Sequence, residues 1–198
     1  MSKTNLNVIV LLAVSALLTG CGNSSTAVKT SPEAAKSDTV ATTVNAKIYN
    51  PCDLITEADV KEIFPDGKIN VDSTKAKPNQ VGQSICFINA SEEDMKYVQL
   101  AVIQTAAMPA TTRAGGQTAE KVYTTLKEMV KTPELVSGLG DDAYYGGSGL
   151  DFSAGLHVLN KEKDVNMNIT LGLGFGNKDD KKHLELEKKL AEKILKRL

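Results

Sequence analysis

Few side chains in this chain could do chemistry: two histidines, three cysteines and some acids near turns, with no tryptophan among 198 residues. His157 stands between Leu156 and Val158, so on a strand it faces away from the apolar set. His183 stands in the lysine-rich first turns of the last helix. The two share no element that would let them chelate together. No Ser-His-Asp or Cys-His set is assembled by motif. A triad depends on geometry in space, so a hydrolase centred on His157 stays open as a minor reading. Asp141, Asp142, Asp151 and Asp164 could offer carboxylates to Ca²⁺. They lack EF-hand spacing, and solvated turn acids explain them. Gly172-Leu173-Gly174-Phe175-Gly176 lies between a strand and a helix, where a dinucleotide pyrophosphate would bind. Its spacing is GxGxG, and the 22 residues after it offer no strand for an acidic ribose partner. Glycines that permit a bulge or close packing at a strand end are the simpler reading. No cofactor and no metal is expected.

The cysteines carry more information. Residues 1–21 read MSKTNLNVIVLLAVSALLTGC, with Lys3 and the terminal amine ahead of an 11-residue apolar run from Val8 to Leu18. At about 1.5 Å per residue, that run is too short to span a hydrocarbon core of about 30 Å comfortably. It reads as a removable export signal over residues 1–20. Its end, Leu18-Thr19-Gly20-Cys21, resembles a bacterial lipobox. The resemblance implies that Cys21 is acylated and becomes the mature N-terminus, anchoring the chain to a membrane. Gly22 stands where an Asp favours inner-membrane retention, so in a diderm host the outer membrane is favoured. Cys52 and Cys86 are then an even pair in an exported chain, and a disulfide is the default expectation. It would be worth about 3–4 kcal/mol by loop-closure entropy. A redox or metal pair is the alternative, weakened by spacing that is not Cys-x-x-Cys and by the lack of a nearby histidine.

These residues need elements to position them. Residues 21–47 are the acylated cysteine and a tether of Ser, Thr, Ala, Asn and Lys with almost nothing to bury. The 26 residues from Gly22 to Lys47 give an end-to-end distance of about 25–30 Å as a flexible coil. A globular domain is expected over 48–198. Thr56 caps a first helix with acids in its first turn, and Ala58, Ile63 and Phe64 share a face. Pro65-Asp66-Gly67 stops it, and 66–80 reads as irregular. Strands follow at 84–88 and 97–104, with Val98, Leu100 and Val102 on one side. Residues 108–116 read as a loop. Ala119, Val122, Tyr123, Leu126, Met129 and Val130 mark a helix to about Lys131. Strands are then expected at 142–145, 150–160 and 165–173, with Gly146-Gly147-Ser148-Gly149 as a tight connection. Asn177 or Asp179 caps a last helix with a buried stripe of Leu186, Leu190, Ala191, Ile194, Leu195 and Leu198. The order α-β-β-α-β-β-β-α gives an α+β domain, a mainly antiparallel sheet of about five strands with helices packed on one face.

Pro51-Cys52-Asp53-Leu54-Ile55-Thr56, then Ala58-Asp59-Val60, resembles the opening of a family of actinobacterial lipoproteins of unknown function. That family starts Pro-Cys-x-Leu-Leu-Thr and has a second Cys ahead of an aromatic, matched by Ser84-Ile85-Cys86-Phe87. It also has a Gly-Leu-Gly-Asp-x-Ala-Tyr segment, matched by Gly138 to Tyr144. The likeness spans 50–198 and implies no activity and no catalytic residues. The element order is also similar to Mog1/PsbP-like domains, which mostly bind partners. Gly115-Gly116-Gln117 is similar to the tripeptide of peptide release factors, but a loop before a helix explains it in an exported chain.

Charge narrows the partners. Lys and Arg total 23, Asp and Glu 24, for a net charge of -1. No global basic field exists to hold nucleic acid. Residues 178–198 carry eight basic and five acidic side chains. Lys181, Lys182, Lys188, Lys189, Lys193, Lys196 and Arg197 could touch anionic head groups. A solvated basic face on a packed helix is the simpler reading. The expectation is a noncatalytic binding or adaptor module at the cell envelope, held to the membrane through the lipid on Cys21. The alternative is a small-molecule or lipid-binding carrier with its ligand between sheet and helices.

Overall fold

The computed structural model describes residues 47–71, 77–149, 151 and 153–198. The expected signal at 1–20, Cys21 and all of the expected tether but Lys47 lie outside the described residues. So do 72–76, Leu150 and Phe152. Val44–Leu198 forms one compact unit. No helix among the described residues is long and apolar enough to cross a membrane.

In chain order the elements are α1 (Pro51–Leu54), α2 (Glu57–Ile63), β1 (Asn70–Val71), β2 (Gln83–Ser91) and β3 (Lys96–Gln104). A single 3-10 turn (Thr105–Ala107) leads to α3 (Ala110–Ala114) and α4 (Ala119–Met129). Then come β4 (Glu134–Leu135), β5 (Asp142–Tyr145), β6 (Leu156–Asn160), β7 (Val165–Leu173) and α5 (Asp180–Leu195). The strands make one antiparallel sheet in the order β1-β2-β3-β7-β6-β5-β4. β7 is central, and β3 beside it pairs with β7 along its whole length and with β2 over most of it.

Alternation along these strands divides the core in two. On the inner face, Val98, Leu100 and Val102 of β3 and Val165, Met167, Ile169 and Leu171 of β7 pack with Leu54, Val60, Phe64, Leu190 and Ile194. Full burial of each such aliphatic side chain stabilises by about 1.5–3 kcal/mol. Three devices pin the helices to this face. Cys52 is bonded to Cys86 with their Cα atoms 5.0 Å apart, tying α1 to β2. Thr56 and Asp59 form a reciprocal capping box at the start of α2. Asp59 also takes a bidentate bond from Arg197, at 2.6 and 3.1 Å, which fastens the end of α5 to α2. The guanidinium and the Thr56 donors outweigh the cost of burial and hold the Asp59 carboxyl well below the usual range.

The outer face is covered too. α4 brings Ala119 and Val122 onto Ile103, and Tyr123 onto Tyr144 and Leu159. Ser153 and Ala154 supply more of the cover. His157 Nε2 lies 3.2 Å from the Ser153 carbonyl, and Asn168 Nδ2 donates to the Ala154 carbonyl at 3.0 Å.

Several expectations change. The sheet has seven strands rather than about five, because β1 and β4 add two-residue edges. The order α-β-β-α-β-β-β-α thereby gives way, and α3 stands in the expected 108–116 loop. Helices lie on both faces, since the alternate positions read as a solvated polar face are the seat of α4. β6 begins at Leu156, not 150. Gly155 sits at φ +90, and a Cβ there would lie 2.2 Å from the Ile169 carbonyl oxygen, so the strand register cannot run through it. Ala58 and Met129 point outward, Met129 being 63% exposed. The α5 seat includes His183 and Glu187 as well as the expected Leu190, Ala191 and Ile194.

Candidate functional site

The two histidines lie on opposite faces of the sheet and cannot meet. His157, on β6, stacks on Tyr144 with ring centroids 4.5 Å apart and planes within 5°. Its Nε2 is 2.9 Å from Asn168 Nδ2. Burial outweighs the bonds from the 153–154 carbonyls and pushes its pKa down to about 4, so it is neutral at pH 7. Ser153 meets it through a backbone carbonyl and not a hydroxyl, which leaves no nucleophile for the hydrolase reading at this contact. The residue clamps a loop.

His183 faces the inner core from α5, with both ring nitrogens buried and unpartnered. Its Nδ1 is 4.0 Å from Glu187 Oε1. Glu187, 1% exposed, accepts from the Leu171 N–H at 3.1 Å. Burial drives its pKa well above the ordinary carboxylate value. His183 shifts the other way, also by burial. Sequence reading missed both Glu187 and the buried Asp59. The signal was present, since Glu187 precedes Leu190, Ala191 and Ile194 by three, four and seven residues.

The acid group disperses onto separate partners. Asp141 accepts from the Lys161 N–H at 2.7 Å, Asp142 pairs with Lys127 at 2.7 Å, and Asp164 accepts from the Thr105 hydroxyl at 2.7 Å. Asp151 is exposed. Among the described residues no three His, Cys, Asp or Glu side chains converge as a metal site. In the glycine run, Gly172 lies under the Tyr97 ring, which a Cβ would approach to 2.3 Å. This is close packing across paired strands. Gly115 and Gly116 end α3 and lead to the Thr118 cap of α4.

Two concavities flank the sheet. The larger, about 710 Å³, opens between α2, α5 and the tip of the β2–β3 hairpin. Phe64, Ala90, Leu173 and Leu186 give it an apolar lining, and Lys68 and Glu93 stand among its charged groups. Its place is between sheet and helices, where the inner helices stop short of the hairpin. Its size is that of a small-ligand site. The smaller, about 590 Å³, lies between α4 and the β5–β6 end. Ion pairs Lys127–Asp142 and Lys161–Glu120, at 2.7 and 2.6 Å, cross it. On the outer face, Ile85 and Phe87 of β2 are 42% and 38% exposed, with Phe87 stacked on Tyr97. This open ledge is built from uncharged side chains.

No family model matches the chain, and neither a curated protein nor a solved structure matches it.

Proposed function

We propose that this chain is a bacterial envelope lipoprotein, exported by residues 1–20, acylated on Cys21 and held by a tether to a noncatalytic binding or adaptor domain. The observation that carries the reading is the Cys52–Cys86 bond between α1 and β2. Such a bond persists in an oxidising compartment, and the export signal and Cys21 supply the route to one. The domain would stand on the exported side of the cell membrane, or of the outer membrane in a diderm host. The actinobacterial lipoprotein likeness supports the lipoprotein reading as an analogy of form.

Labelling of cells with an alkyne fatty acid tests the anchor: the wild type takes the label and fractionates with membranes, and Cys21→Ala does neither. Label retained by Cys21→Ala overturns it. In-cell crosslinking with mass spectrometry tests the adaptor role, which predicts a reproducible stoichiometric envelope partner. The second reading, a small-molecule or lipid carrier, is favoured by the 710 Å³ cleft. A co-purified ligand in native mass spectrometry that is lost from Leu186→Glu would support it, and an empty cleft with a captured partner would remove it.

A further inference from the structure

We propose that the outward face of α5 docks on an anionic lipid surface. The inference deepens the lipoprotein reading and rests on it for the anchor. α5 sends His183, Glu187, Leu190, Ala191 and Ile194 into the core. At about 100° per residue, Lys181, Lys188 and Lys196 fall on the opposite side of the helix, and Lys182 flanks them at the rim of the cleft beside α2. Among the described residues none of the four makes an ion pair, whereas Lys189 and Lys193 are held by Glu185 and Glu62 at 2.7 and 2.6 Å. With Glu185 engaged, Glu192 is the remaining carboxylate on that side. Four unpaired lysines against one acid form a local positive field in a chain whose net charge is -1. They span roughly 22 Å along the axis at about 1.5 Å per residue, which suits a plane of head groups.

A second observation concerns where the chain enters the domain. Gln104 holds the start of the domain, accepting from the Tyr49 N–H at 2.9 Å and donating to the Lys47 carbonyl at 3.1 Å. The Tyr49 hydroxyl donates to the Leu198 carbonyl just past α5. The tether therefore joins the domain beside the C-terminal end of the lysine-bearing helix. Tethering turns a weak surface contact into an intramolecular one. Each lysine brought to an anionic leaflet raises partitioning about fivefold. Nucleic acid is the poorer fit, because no aromatic side chain stands on this face to stack a base.

The test is vesicle co-sedimentation of the processed chain from Gly22 onward, unacylated through Cys21 removal. Vesicles of phosphatidylglycerol in phosphatidylcholine are compared with phosphatidylcholine alone, at low and high salt. The expected result is binding to the anionic vesicles only, abolished by salt. A variant with Lys181, Lys182, Lys188 and Lys196 each changed to Gln should lose at least about hundredfold in partitioning with an unchanged melting temperature. No binding at low salt, equal binding to neutral vesicles, or binding untouched by the four substitutions overturns the proposal. Because the probe lacks Cys21, its outcome is independent of whether that residue is acylated.

Discussion

The two faces of the sheet are made from the same strands and solve burial differently. The inner face is aliphatic and is fastened by a covalent bond and a buried ion pair, Cys52–Cys86 and Asp59–Arg197. The outer face under α4 and the 146–155 stretch carries His157, Asn166, Asn168, Thr170 and two tyrosines. Polarity there is not a sign of solvent. Asn168, Thr170 and His157 reach the backbone carbonyls of Ser153 and Ala154. One face is held by fasteners between elements and the other by side chains that bond to loop backbone.

The largest expected effect tests the inner fasteners. Cys52→Ala with Cys86→Ala should cost about 3–4 kcal/mol in urea unfolding. A midpoint unchanged by the double substitution would show that the inner face needs no covalent closure. The next is acid on the outer face. His157 is neutral when folded, with a pKa of about 4 against an ordinary 6.5. The unfolded chain takes up the proton first as pH falls, so stability is full above about 6.5 and declines toward 4, by about 3 kcal/mol in all. His157→Gln should flatten that limb. Glu187 has the opposite sign: burial raises its carboxyl pKa when folded, so stability falls as pH rises above the ordinary carboxylate range. Glu187→Gln should remove that decline while leaving the acid limb of His157 in place. Two variants that flattened the same limb would erase the contrast between the faces. Smaller still, Asn168→Ala should cost about 1 kcal/mol and speed amide exchange across 146–155, sparing α1 and α2. Smallest, Met129→Ala should stay within about 0.5 kcal/mol because its side chain faces water.

Much of this was legible in the residues. Thr56 and Asp179 cap where their types and positions indicate, and β3 and β7 follow their alternation over full length. The Cys52–Cys86 pair was legible from parity. The seat of α4 was not, because strand periodicity reports which residues share a face but not what covers it. Asn166, Asn168 and Thr170 look alike whether they meet water or a loop. β6 was overextended because Ala154 continues the alternation of Leu156 and Val158, while the constraint that stops it sits at Gly155 and comes from a neighbouring strand. Glu187 was hidden by its residue type, which is seldom buried, although its helical phase places it in the core.

The site was less legible than the fold. The 710 Å³ cleft is formed by the end of α2, the β2–β3 tip and the middle of α5, segments distant in the chain. No motif spans them.

The bond from Cys52 to Cys86 also has a mechanical meaning. An anchored domain that holds a partner is pulled through the segment that leads into it. Such a load would first strip Tyr49 from Gln104 and Leu198, then reach Pro51. There the covalent link passes the force straight to β2, a strand laced along its length to the centre of the sheet. Peeling would stop at that residue, and α1 and α2 would be shielded from the pull rather than unwound by it.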